Sequence, residues 1–149
     1  MRINTKCSIA IHSLILINLC ADTHKLNSET IARSTGCNPV IIRNLFRQLQ
    51  DSGIIRVTRG AGGGACLNRP PEEISILDIY LAVEAEPDNP VIGIHLNPEP
   101  LCPVGAYIHE VLEEPYRNIE AAMQEEMKKY SLHMLTERIK RLNAEISGQ

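Results

Sequence analysis

Arg43, Asn44 and Arg47 fall within about one helical turn of each other, and Arg59 follows in the stretch TRGAGGG. An arginine can donate two parallel hydrogen bonds to a guanine edge, and an asparagine can pair with adenine. A guanidinium on a loop is drawn to the narrow minor groove of A·T-rich duplex. Such chemistry requires three side chains on one exposed helix face and the fourth on a neighbouring projection.

The surrounding sequence supplies both. Asn38-Pro39 opens a helix, since Asn accepts from free amides and Pro suits the first helical position. Ile42, Leu45, Phe46 and Leu49 form one apolar face, leaving Arg43, Asn44, Arg47 and Gln50 on the other. Asp51-Ser52-Gly53 stops it. Upstream, Asn27 or Ser28 caps a short helix running to about Thr35, with Ile31 and Ala32 facing inward. Gly36 ends it, and Cys37 lies in the turn. A capped helix, a glycine turn and a second helix with a polar outer face describe a helix-turn-helix. Small Ala32 permits close approach, Gly36 permits the turn, and Ile42 with Leu45 anchor the second helix. IIRVT, RGAGGGA and CLNR then read as a β-hairpin with a basic tip from Arg56 and Arg59, which is a wing. The glycine run lacks a following Lys-Ser/Thr and sits in a hairpin, so it is not a nucleotide-phosphate loop. Its glycines let the wing backbone lie close to DNA.

Elsewhere, residues 5–20 predict a buried helix, apolar nearly all round; the run is too short for a membrane span, and Asn18-Leu19 do not suit signal cleavage. Residues 74–84 predict an amphipathic helix with Ile74, Leu77, Ile79 and Leu81 inward. Five prolines between 87 and 103 predict a long loop. From about Pro103 a helix follows, with Ile108, Val111, Leu112, Tyr116, Ile119, Met123, Met127 and Tyr130 in a stripe. Pro115 is expected to kink or restart it. So long a stripe cannot be buried within one small domain, and pairing with a second copy is the economical answer. Residues 131–145 predict a last helix. The expected fold is mainly α with a small β-hairpin wing: a winged helix-turn-helix over 1–85, a Pro-rich loop over 86–104 and a helical dimerisation region over 105–149.

The net charge of −3 conceals an asymmetry. Residues 1–69 hold nine Lys/Arg against three Asp/Glu, while residues 70–149 hold six against fifteen. A basic half suits neutralisation of the phosphates of duplex DNA. Aromatic residues are 3 %, which leaves little for stacking on unpaired bases. The five cysteines (Cys7, Cys20, Cys37, Cys66, Cys102) contain no Cys-x-x-Cys, against a disulfide scaffold or zinc finger and in favour of a reducing cytoplasm.

The run from Asn38 to Leu67, NPVIIRNLFRQLQDSGIIRVTRGAGGGACL, resembles the recognition helix and wing of the Rrf2 family of winged-helix regulators. SILDIYLAVE and LCPVG, followed by a long helix, resemble later family segments, so that the likeness covers roughly residues 1–130. The resemblance implies a winged helix with a long dimerisation helix and operator binding, usually repression. It places base reading on Asn38, Val40, Arg43 and Asn44, and the wing arginine on Arg59. DNA contact is therefore expected of Ser28, Asn38, Val40, Arg43, Asn44, Arg47, Arg59, Gly60, Gly62 and Gly63. Dimerisation is expected of Ile108, Val111, Leu112, Ile119, Met123 and Met127. Cluster-bearing sensors of the family use three loop cysteines, whereas this loop holds Cys102 alone, so no cofactor is expected. His95, Cys102 and His109, or Cys7 and His12 across a dimer, are the remaining donors for an improvised site. Cys102 is instead a candidate redox-sensing thiol.

The expectation is a non-enzymatic, cytoplasmic, homodimeric regulator, a repressor of a palindromic operator, responsive to thiol chemistry or a ligand. An adaptor that has kept the winged helix but lost DNA is the alternative. A thiol enzyme using Cys102 with His109 lacks any orienting third group.

Overall fold

The computed structural model describes residues 4–23, 25–84 and 90–148. In order come α1 (Thr5–Leu19), α2 (Ser28–Thr35), α3 (Pro39–Asp51), β1 (Ile55–Thr58) and β2 (Gly64–Leu67). A short 3-10 helix (Pro71–Glu73), α4 (Ile76–Val83), α5 (Ile108–Met127) and α6 (Leu132–Ser147) complete the chain. The architecture is the expected one, mostly helical with one two-stranded antiparallel hairpin. The anticipated boundary at 85/86 and the loop's residues 86–89 lie outside the described residues.

Side chains set most helix starts by replacing the partners that first-turn amides lack. Asn27 accepts from Thr30 N–H at 2.9 Å and Asn38 from Val40 N–H at 2.8 Å. Ser75 and Asp78 cap α4 reciprocally, Ser75 N–H donating to Asp78 at 2.8 Å and Asp78 N–H to Ser75 Oγ at 3.1 Å. Gly36 closes α2 at φ +72°, a left-handed geometry that glycine adopts without a Cβ penalty.

The core gathers Ala10, Leu14 and Ile17 of α1 with Ile31 of α2 and Ile42, Leu45, Phe46 and Leu49 of α3. Ile54, Ile55 and Ala65 from the hairpin and Leu77, Ile79, Tyr80 and Val83 around α4 close it. Full burial of each such aliphatic side chain is worth about 1.5–3 kcal/mol relative to exposure. α1 is less enclosed than its composition suggests, because Ser8, His12 and Leu19 stay exposed along one flank.

Several expectations are corrected. Ile74 is buried but not helical: Leu132 N–H donates to its carbonyl at 2.7 Å, and Ile76 N–H donates to Tyr130 carbonyl at 2.9 Å. This bridge between Ser75 and Ser131 returns the chain end to the N-terminal core, where Leu132 and Thr136 are buried. Asn18 Nδ2 donates to Thr136 Oγ1 at 3.0 Å, joining α6 to α1. Leu81, expected inward, is 48 % exposed. Arg56 is not at the hairpin tip; it stands within β1 opposite Cys66, and β2 starts at Gly64 because Thr58 pairs there. α5 starts at Ile108 rather than near Pro103, since the chain turns back at Gly105, where a Cβ would lie 2.2 Å from Glu99 carbonyl. Pro115 does not restart the helix, which runs unbroken through it. Pro115 and Val111 are exposed, so water can serve the Val111 carbonyl that loses its donor.

Candidate nucleic-acid interface

The helix-turn-helix orients α3 from beneath. Its buried face carries Ile42, Leu45, Phe46 and Leu49, so Val40, Arg43, Asn44, Arg47 and Gln50 point outward. Arg47 Nη2 donates to Asn44 Oδ1 at 2.9 Å. That bond aims the Asn44 amide, leaving its NH2 as a donor for an acceptor on a base edge. Asn38 Oδ1 is committed to the cap, which leaves its NH2 on the exposed rim of α3. Ser28 begins α2 and is half-buried.

The wing stands beside this face. Gly60 and Gly62 have φ +90° and +74°, and a Cβ on Gly63 would meet Thr58 carbonyl at 2.2 Å. The glycines therefore let the tip turn tightly and carry Arg59 outward. Its base is fixed by Ala65 N–H donating to Leu26 carbonyl at 2.9 Å. Lys25 Nζ donates to Thr58 Oγ1 at 3.1 Å, a second wing cation that spacing alone does not reveal. Arg43, Phe46, Arg47, Gln50, Asp51, Val57 and Arg59 line one open cleft of about 460 Å³ between α3 and β1. Three of the four arginine and asparagine side chains singled out from the sequence thus share one concavity, with Asn44 adjoining through Arg47.

Residues 3–138 match the sequence profile of the Rrf2 family, described as iron-dependent transcriptional regulators. The chain belongs to the Rrf2 family of transcription regulators. This Rrf2 regulator is 36 % identical over 130 residues to YwnA of Bacillus subtilis strain 168, named as a candidate HTH-type transcriptional regulator. The match covers 87 % of this chain and 93 % of YwnA. A solved structure titled as a candidate DNA-binding protein is 34 % identical, with a TM-score of 0.66 over 87 % of this chain and 97 % of the other. A candidate transcriptional regulator from Lactobacillus plantarum shares the fold, at 22 % identity and a TM-score of 0.74 over 97 % and 99 % of the two chains.

The description of the family raises the question of iron. Cys102 is exposed, and its thiol is held below the ordinary range by hydrogen bonds from Gly105 N–H and then Val104 N–H. His109 Nε2 lies 2.7 Å from the carbonyl of His95, and the two rings meet edge-on with centroids 5.9 Å apart. Cys7 is buried in α1, and burial, with Glu84 adding to it, pushes its thiol up to about 11. Cys20 caps the C-terminal end of α1, Cys37 lies in the helix-turn-helix turn and Cys66 on the wing. Among the described residues no three His, Cys, Asp or Glu side chains converge to hold a metal ion. The donor set of one chain does not fit a thiolate-ligated cluster.

The expected dimer stripe divides in two. Met123 and Met127 lean on the regulator's own core. Val111 and Ile119 are 63 % and 49 % exposed, and Ile108 and Leu112 on the same helix are half-buried. Among the described helices none is long and apolar enough to cross a membrane.

Proposed function

We propose that this Rrf2 regulator is a cytoplasmic homodimer that binds a palindromic DNA operator and represses transcription. α3 enters the major groove, Arg43 and Asn44 read base edges, and Arg59 on the wing follows the adjoining minor groove. One observation carries the reading: Arg43, Arg47 and Arg59 converge on a single cleft in front of a rigidly buttressed helix. Among the described residues none of these three guanidiniums is in an ion pair, which suits them to the phosphates and base edges of a duplex.

Dimerisation is supported by the exposed Val111 and Ile119 on a helix that buries none of its side chains fully. Two-fold pairing would set recognition helices on half-sites about one duplex turn, roughly 34–36 Å, apart. The dispersed cysteines support regulation without a resident iron–sulfur cluster. Exposure and the two N–H donors at Cys102 support a thiol-responsive input there.

Recovery of bound fragments from a random duplex library, under reducing and oxidising conditions, tests this. The expected result is an enriched palindrome whose recovery falls on oxidation in the native chain but not in Cys102→Ser. Absence of any enriched duplex contradicts operator binding and restores the adaptor alternative.

A further inference from the structure

A second open cleft, of about 400 Å³, lies on the other flank of α3, between it and the N-terminal end of α1. Lys6, Ile41, Asn44, Leu45, Arg47 and Gln48 line it. We infer that Lys6 and this cleft form a second phosphate-binding position for duplex DNA, on the flank of the recognition helix opposite the wing. The inference rests on the operator-binding reading above and extends the contact surface to α1.

The geometry argues as follows from the two clefts. Arg47 lines both, so it marks the ridge between them, and Asn44 sits just beyond it on the α1 side. A helix seated in a major groove about 12 Å wide runs between two sugar–phosphate backbones. Each flank then faces a row of phosphates and needs its own cation. The wing meets one backbone with Arg59. On the opposite flank, Lys6 is the cation that the α1-side cleft has beyond the shared Arg47.

The chemistry of the cleft suits a phosphate. Exposed Ile41 and buried Leu45 offer an aliphatic floor for the Lys6 stem, which leaves the ammonium at the rim. Two of the amides at this helix end are occupied: Lys6 N–H donates to Asn4 Oδ1 at 3.4 Å and Cys7 N–H to Glu84 Oε1 at 2.8 Å. The contact is accordingly assigned to the side-chain ammonium, which lines the cleft. Among the described residues every ion pair joins other partners, so Lys6 has no carboxylate among them to surrender on binding. A point charge on a flexible stem neutralises phosphate without reading sequence.

The test measures affinity of the full chain for its selected duplex, and for single-base variants, across a salt series. Lys6→Gln should weaken binding to all sequences alike and flatten the salt dependence by about one unit of slope per protomer, with base preference unchanged. Lys6→Arg should keep the native slope. If the native chain binds and Lys6→Gln keeps the full slope, the inference is overturned while operator binding stands. A Lys6→Gln effect confined to one base position also overturns it, because phosphate carries no sequence. If the native chain binds no duplex, the operator-binding reading fails and the inference with it.

Discussion

α3 and α5 are both amphipathic, yet they spend their apolar faces differently. α3 has 13 residues and buries four side chains in the chain's own core; α5 has 20 residues and buries none fully. Packing around α3 is saturated from below, and past the exposed Val40 and Ile41 of its first turn the outer face is polar, with Arg43, Asn44, Arg47 and Gln50. α5 keeps apolar residues at the surface, which water disfavours unless another apolar face covers them. The apolar face of the recognition helix is thus satisfied within the chain, whereas the long helix is where the proposed second copy would pack.

The largest expected effect lies in the saturated region. Leu49→Ala removes a fully buried side chain of α3 and should cost about 2–5 kcal/mol in urea unfolding. A loss below about 1 kcal/mol would mean that the helix-turn-helix is not packed as described.

The complementary change is Ile119→Asp on α5. Ile119 is half-exposed in the single chain, so the variant should keep native helical content. At a covered apolar interface the new carboxylate costs several kcal/mol, roughly, and the chain should sediment as a monomer at micromolar concentration. A native chain that is itself monomeric while binding a palindrome tightly would break the contrast.

The cysteines repeat the comparison at smaller amplitude. Burial raises the Cys7 thiol, whereas two N–H donors lower that of exposed Cys102. A lowered value means more thiolate at a given pH, so alkylation of Cys102 should switch on at lower pH than in the unfolded chain. Cys7 should react last, only as the core opens. Equal rates at the two positions would remove the argument for Cys102 as the chemical input.

Local signals made the winged helix legible in the sequence. Asn38-Pro39, the spacing of Ile42, Leu45, Phe46 and Leu49, and the glycines at 36 and 53 each act within a few residues of where they stand. The start of α4 was equally local, because Ser75 and Asp78 hold capping-box spacing that sets it two residues after Ile74. What spacing could not show is contact between distant segments. Ile74 pairs with Leu132, Asn18 meets Thr136, and Met123 and Met127 turn to the core only because the chain folds back after α5. The same limit hid Lys25 and Lys6, whose places beside Thr58 and Asn44 arise from tertiary packing alone. Pro115 did not restart the helix, because the cost of its orphaned carbonyl depends on whether that carbonyl reaches solvent, and at an exposed position it can.

The central claim is that α3 and the wing meet DNA in different ways. It is tested most directly by the affinity of Arg43→Ala and Arg59→Ala for the selected operator and its single-base variants at several salt concentrations. Arg43→Ala should cost about 1–3 kcal/mol and relax preference at one base position per half-site. Arg59→Ala should weaken binding to many sequences and flatten the salt slope by about one unit per lost contact. If both variants bind every duplex as tightly as the native chain does, neither α3 nor the wing lies at the DNA, and the account is contradicted.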